Sequence, residues 1–144
     1  MAAQYITGLQ HIGIPTNDIE KTTAFYHELG FETAFETVNE AAGERVVFLR
    51  CGSLVIETYE NHQAAERNGA VDHVALDVTD IEAVFAEIKE AGYPMLDEEI
   101  QFLPFWANGV RFFTILGPNR ERWSSARCCK RRTATCRLPQ SVII

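Results

Sequence analysis

The chain has 144 residues, of which 47% are hydrophobic, and a formal net charge of −7, enough apolar material for one compact domain or two very small ones. No run of 18 apolar residues is present to cross a membrane, and the opening lacks the basic and apolar regions of a secretory signal, so a cytoplasmic protein is expected. Residues 1–119 hold six Lys/Arg against 19 Asp/Glu, and an acidic body of this kind excludes a nucleic-acid surface, which needs a cationic face.

The first element is a strand in which Ile12 and Ile14 share one face and His11 takes the other. A helix follows. Asn17 with Glu20 three residues on reads as its N-terminal capping pair, Asp18 adds a further capping group, and Gly30 stops it. Three strands are predicted next, over residues 31–37, 45–50 and 54–59, broken at Gly43 and at Cys51-Gly52-Ser53. In the last of them Val55, Glu57 and Tyr59 alternate with Leu54, Ile56 and Thr58. Glu57 therefore points away from the face that carries most packing.

After a polar linker over residues 61–70 the pattern starts again. Gln10-His11-Ile12 aligns with Asp72-His73-Val74, and at the same offset Asp18 meets Asp80, Ile19 meets Ile81, Glu20 meets Glu82 and Gly30 meets Gly92. Such an internal repeat points to duplication of one βαβββ unit. The second copy opens with a strand carrying Val74, Leu76 and Val78, then a helix begun by Thr79, Asp80 and Glu82. Its core stripe is Ile81, Val84, Phe85 and Ile88. A strand is expected near Met95-Leu96, then a loop through Phe102-Leu103-Pro104-Phe105. The hairpin signal Asn108-Gly109 leads into a strand over Val110–Leu116, closed by Gly117-Pro118-Asn119. The predicted organisation is a first module over residues 5–60, a linker over 61–70, a second module over 71–126 and an irregular basic tail over 127–144. Cys51 stands alone while Cys128, Cys129 and Cys136 crowd the tail, which is neither a disulfide framework nor a zinc pattern.

These marks together resemble the vicinal oxygen chelate superfamily: glyoxalase I, acyl-CoA epimerases, extradiol dioxygenases and the bleomycin- and fosfomycin-resistance proteins. The residues that carry the likeness are the opening His11-Ile12-Gly13-Ile14 with Asp18-Ile19-Glu20 and Phe25-Tyr26, then Leu54-Val55-Ile56-Glu57. Asp72-His73-Val74 with Asp80-Ile81-Glu82, and Gly117-Pro118-Asn119, complete the set. The resemblance implies an α+β fold in which two tandem βαβββ modules form an open, barrel-like mixed sheet around a central metal cleft. Carried over position by position, it implies His11, Glu57 and His73 as metal ligands, with Glu57 also a candidate catalytic base. Imidazole nitrogen with carboxylate oxygen suits Zn, Ni, Fe, Co or Mn.

The activity so implied is a glyoxalase I-like lyase or isomerase of the lactoylglutathione lyase type, acting on a small oxygenated substrate through a metal-stabilised enediolate. The alternatives are an acyl-CoA epimerase and a non-catalytic small-molecule binder of the bleomycin-resistance type. Phe102, Phe105 and Trp106 are candidates for the substrate pocket or for a homodimer contact, and a homodimer is expected.

One family position departs. The pattern ends in a motif like Gly-Pro-Asn-Gly-Glu-x-x-Glu-Phe, whose second Glu is the fourth ligand. Here Ser124 stands at that place and Arg120 at the glycine, while Glu121 falls on the other strand face. The stretch Trp123-Ser124-Ser125-Ala126-Arg127-Cys128-Cys129-Lys130 also has a set of codons that, read one base earlier, spell Val-Glu-Phe-Cys-Pro-Val-Leu-stop. A frame slip near Arg120–Arg122 is the hypothesis that would account for the tail, and activity is expected to be impaired in this chain.

Overall fold

The computed structural model describes residues 5, 8–105 and 107–130; Trp106 and residues 131–144 of the expected tail lie outside them. The elements run β1 (Ile12–Thr16), α1 (Ile19–Glu28), β2 (Glu32–Asn39), β3 (Glu44–Cys51) and β4 (Leu54–Glu60). They continue with β5 (Val74–Asp77), α2 (Ile81–Ala91), β6 (Gln101–Leu103), β7 (Val110–Leu116) and β8 (Arg122–Cys128). The chain divides between Glu66 and Arg67, inside the predicted linker. Each unit is one βαβββ copy with a four-stranded mixed sheet, ordered β1-β4-β3-β2 in the first and β5-β8-β7-β6 in the second; neither sheet closes on itself. In both, the first strand lies parallel to the last, so β4 and β8 are interior strands.

In the first unit α1 buries Ile19, Thr22, Phe25 and Tyr26. The opposing core includes Val47, Leu49, Ile56 and Thr58. The predicted parity of β4 holds: Ile56 and Thr58 are buried, with Glu57 half-buried between them. Beneath the start of α1 the Thr16 and Thr22 hydroxyls hydrogen-bond at 2.8 Å, and Thr16 Oγ1 also accepts from the Asp18 N–H at 3.0 Å. The Thr58 hydroxyl, equally buried, has no partner among the described residues.

The helix starts differ from the expected capping boxes. Asp18 and Asp80 are the N-caps, their carboxylates accepting from the Lys21 and Ala83 N–H groups at 2.9 and 3.0 Å. Starting one residue later leaves Glu20 and Glu82 a position short of the site from which a glutamate reaches back to the cap. Each instead pairs with an arginine on its own sheet, Glu20 with Arg45 and Glu82 with Arg111. Asn17, displaced from capping, accepts from the Ala64 N–H at 3.0 Å and so pins the linker.

In the second unit α2 buries Ile81 and Ile88 and sets the Phe85 ring edge-on to Phe113 at 5.1 Å, over a core of Phe113, Ile115 and Trp123. Residues Gln101–Leu103, expected as loop, form edge strand β6 on β7. The Phe102 ring packs on Gly109, where any side chain would collide with it. The expected strand at Met95-Leu96 reduces to one bridge, Met95 to Ile115, and a hydrogen bond from the Leu96 N–H to Thr114 O at 2.8 Å. Strand β8 continues two residues past the expected boundary at 126, pairing Arg127 with Arg111 and Cys128 with Val110. Sheet pairing uses backbone groups and is indifferent to this change in side-chain character.

Candidate metal centre

Two of the three predicted ligands meet in the first unit. Strand β1 runs parallel to β4 with Gly13 opposite Glu57, and β3 places Phe48 opposite Glu57 on its other side. Cross-strand partners share a face, so Glu57 lies on the face turned away from α1. His11, two residues before Gly13, brings Nε2 to 3.1 Å from Glu57 Oε2. Its ring stands edge-on to Phe48 at 5.8 Å, and its Nδ1 pairs with Gln10 Oε1. A side chain at Gly13 would begin 3.6 Å from Glu57 Oε2; glycine leaves that oxygen uncovered.

The donor chemistry of this pair fits a cation. With the Nδ1 proton given to Gln10, Nε2 carries a lone pair and faces a carboxylate oxygen, so two acceptors look at each other across 3.1 Å. Either a proton or a metal ion must lie between them.

The second unit repeats the strand arrangement with different side chains at the equivalent positions. Ala75, the counterpart of Gly13, pairs with Ser124 across the parallel β5–β8 ladder, and Thr114 flanks Ser124 from β7. Ser124 thus occupies the position that Glu57 holds in the first unit, and it is buried at 4% exposure. Glu121 does not substitute: its carboxylate folds back to accept from the Asn119 N–H at 2.8 Å and packs over Gly117. Arg120, at the expected glycine, is held at a φ of 61°.

His73 lies just ahead of β5. Its Nδ1 is 3.0 Å from Asp72 Oδ2, while Asp72 Oδ1 accepts from Arg122 at 2.9 Å and from the Asn68 amide at 2.5 Å. The hydrogen bond from His73, then those from Asn68 and Arg122, hold the Asp72 carboxyl below the usual carboxylate range. No three His, Cys, Asp or Glu side chains among the described residues are gathered as one metal-holding group. The predicted set is present as the His11–Glu57 pair in one unit and as His73 in the other.

Of the aromatic candidates, Phe102 pairs with Arg111, which reaches Glu82 of α2, and so belongs to the helix-covered face. Phe105 is 57% exposed after β6, and Trp106 lies outside the described residues. A cleft of about 300 Å³ in the first unit, lined among others by Glu20, His27, Glu36 and Arg45, lies on the α1 side of the sheet, away from His11 and Glu57. Sequence reading missed Gln10 and Asp72 as partners of the imidazoles. The repeat alignment held the signal, since the two occupy one equivalent position.

A family model, the Glyoxalase/Bleomycin resistance protein/Dioxygenase superfamily, matches residues 8–103. The chain belongs to that superfamily. Its relatives include the uncharacterized protein YwbC of Bacillus subtilis (strain 168), 32% identical over 120 residues that cover 78% of this chain and 91% of that protein. Among solved structures, the fosfomycin resistance protein FosX from Listeria monocytogenes, complexed with Mn(II) and sulfate, superposes with a TM-score of 0.67. It is 20% identical, over 87% of this chain and 95% of that one. Trypanothione-dependent glyoxalase I of Leishmania major gives 0.69 at 19% identity, over 85% and 87%. At these identities the structural likenesses establish the fold, which is that of the glyoxalase superfamily. Among the described residues no helix is long and apolar enough to cross a membrane.

Proposed function

We propose that this glyoxalase-superfamily protein is a metal-dependent lyase or isomerase of the glyoxalase class, acting on a small oxygenated substrate, with His11, Glu57 and His73 as ligands of one divalent cation. The observation that carries the reading is the convergence of His11 Nε2 and Glu57 Oε2 to 3.1 Å on the face opposite α1. Such a nitrogen and oxygen set suits Zn, Ni, Fe, Co or Mn, and FosX, which shares the fold, was solved with Mn(II). Bound there, the cation would supply Lewis acidity toward substrate oxygens.

The protein's own contribution follows from the residues around the pair. The half-burial of Glu57, uncovered on its Gly13 side, supports it as the carboxylate that would move a proton on a substrate carbon. Phe48 packs edge-on to the His11 ring and limits its swing. Ser124, with an alcohol that stays protonated near neutral pH, cannot act as the second carboxylate.

The last point favours one alternative. A chain without a carboxylate at position 124 can retain a ligand-binding face and lose turnover, as a small-molecule binder would. The edge strand β2 exposes Phe35 and Val38, which supports a homodimer as the form that covers them. Cytoplasmic residence is part of the same proposal.

Metal content by mass spectrometry, measured on the purified chain and on His73→Ala, tests the reading together with a lactoylglutathione lyase assay. One metal per chain in the parent and none in His73→Ala is the expected result. Unchanged stoichiometry in the variant removes the ligand set. A metal-free, inactive parent that binds small molecules establishes the binder instead.

A further inference from the structure

Each predicted histidine ligand is held by the residue immediately before it. In the first unit Gln10 Oε1 meets His11 Nδ1; in the second Asp72 Oδ2 meets His73 Nδ1 at 3.0 Å. The two residues are equivalent in the repeat, and both contacts involve the same ring nitrogen. Neither Gln10 nor Asp72 is among the residues proposed to touch a metal or substrate. A neutral imidazole carries one proton, and a hydrogen-bond acceptor fixed at Nδ1 draws it there, leaving the Nε2 lone pair as the donor.

We infer that position 10 in the first copy and position 72 in the second are positioning residues, which set the Nδ1–H tautomer of His11 and His73 and so present Nε2 as the ligand atom. The inference rests on the proposed ligand set for its metal-affinity consequence, though not for the tautomer itself. The two copies have diverged in strength. Gln10 offers a neutral amide oxygen, whereas Asp72 offers a carboxylate already oriented by Arg122 at 2.9 Å and Asn68 at 2.5 Å. An anionic acceptor makes the imidazole it holds a better electron donor. His73 is therefore the ring more strongly committed to this tautomer, and Asp72 the residue whose loss is felt more.

A merely structural role for Asp72 would run through Arg122, which ties the approach to β5 onto β8. The two roles separate experimentally. Asp72→Ala removes the acceptor and the tie, Asp72→Asn keeps an acceptor oxygen without the charge, and Arg122→Ala removes the tie while leaving Asp72 beside His73. Asp72 is more than half exposed, so these variants are expected to fold.

The first measurement uses the metal-free chain at alkaline pH, where imidazole is neutral. Long-range proton–nitrogen NMR of the four histidine rings, assigned by single replacements, is expected to show His73 with its proton on Nδ1 in the parent, in Asp72→Asn and in Arg122→Ala. In Asp72→Ala the proton should move to Nε2. A parent His73 protonated on Nε2, or an Asp72→Ala spectrum like the parent's, overturns the inference.

The second measurement is Zn(II) and Co(II) affinity by competition with a chromophoric chelator. Asp72→Ala is expected to bind about 10- to 100-fold more weakly, the effect typical of an outer-shell partner of a metal-bound imidazole. Asp72→Asn should recover most of that loss, and Arg122→Ala should stay close to the parent. Equal weakening by Arg122→Ala and Asp72→Ala would show that only the tie matters and overturns the positioning role. If His73→Ala binds metal like the parent, the ligand set falls and the affinity arm with it, while the tautomer is decided by the NMR alone.

Discussion

Replacing Thr58 with valine is expected to make the protein more stable. The side chain is fully buried on the α1 face of β4, and its hydroxyl has no hydrogen-bond partner among the described residues. Leaving a buried hydroxyl unpaired costs about 1–3 kcal/mol in desolvation. Valine keeps the branched shape, suits a strand at least as well, and replaces the hydroxyl by a methyl whose burial is favourable. The expected net gain is about 1–2 kcal/mol, seen as a rise in thermal midpoint of roughly 3–6 °C for a chain of this size. In urea denaturation the midpoint should rise with the slope unchanged, which marks a stability change without altered compactness. Thr16→Val and Thr22→Val are the controls. Each removes one hydroxyl of the buried 2.8 Å pair, and Thr16→Val also removes the acceptor of the Asp18 N–H, so each should destabilise by about 1–2 kcal/mol. If Thr58→Val loses stability as the controls do, the Thr58 hydroxyl has a buried partner such as water, and the reasoning fails.

Arg120→Gly should add about 1 kcal/mol, because an exposed arginine held at a φ of 61° carries a left-handed penalty that glycine escapes; calorimetry showing a loss would place the arginine in a contact of its own. Ser124→Glu should lower the melting temperature of the metal-free protein, since it puts a carboxylate at a 4%-exposed position beside Ala75 and Thr114, and saturating Zn(II) should reverse the loss. A melt insensitive to metal in that variant would show that position 124 does not face the cation. The carboxyls of Glu20 and Glu82 are held below their usual range, chiefly by hydrogen bonds from Arg45 and Arg111. A depressed folded value stabilises above the ordinary carboxylate pKa and is lost as pH falls through the folded value. Arg111→Ala should therefore flatten the acid limb of stability against pH, and the difference should shrink in about 1 M salt; an unchanged limb would sink that assignment.

Much of the fold was readable because the repeat supplied a second copy of every pattern. The His11 and His73 strands, the Glu57 parity and both glycine stops rest on periodicities that tertiary context reinforces. The helix caps were misplaced by one residue because Asn17 and Asp18 are both good cap formers. The choice fell to Asp18 through contacts distant in sequence, with Asn17 drawn to the linker at Ala64. Strand β6 escaped detection because three residues next to a proline carry no period, and their order comes from pairing with β7. At the site, the position of Ser124 was legible from the motif. The hold of Gln10 and Asp72 on the imidazoles was not, because neighbours along a chain need not touch until the backbone turns them together. The positive φ of Arg120 was hinted at only by its standing at the motif's glycine, since the residue type itself disfavours that backbone.

The order β5-β8-β7-β6 has a consequence for how the molecule comes into being. The strand made last in each unit is seated between two earlier ones, so it acts as a keystone and not as a fringe. During synthesis the first unit can close once Glu60 is free, and the long loop between β1 and β4 makes that closure the slow, non-local step. The second unit stays open between β5 and β7 until Arg122–Cys128 arrives, exposing two unpaired strand edges in the meantime. A nascent chain halted before Arg122 would therefore present a finished first half and a sticky second one, and the residues after Asn119 that depart from the family motif sit where the protein can least spare a strand.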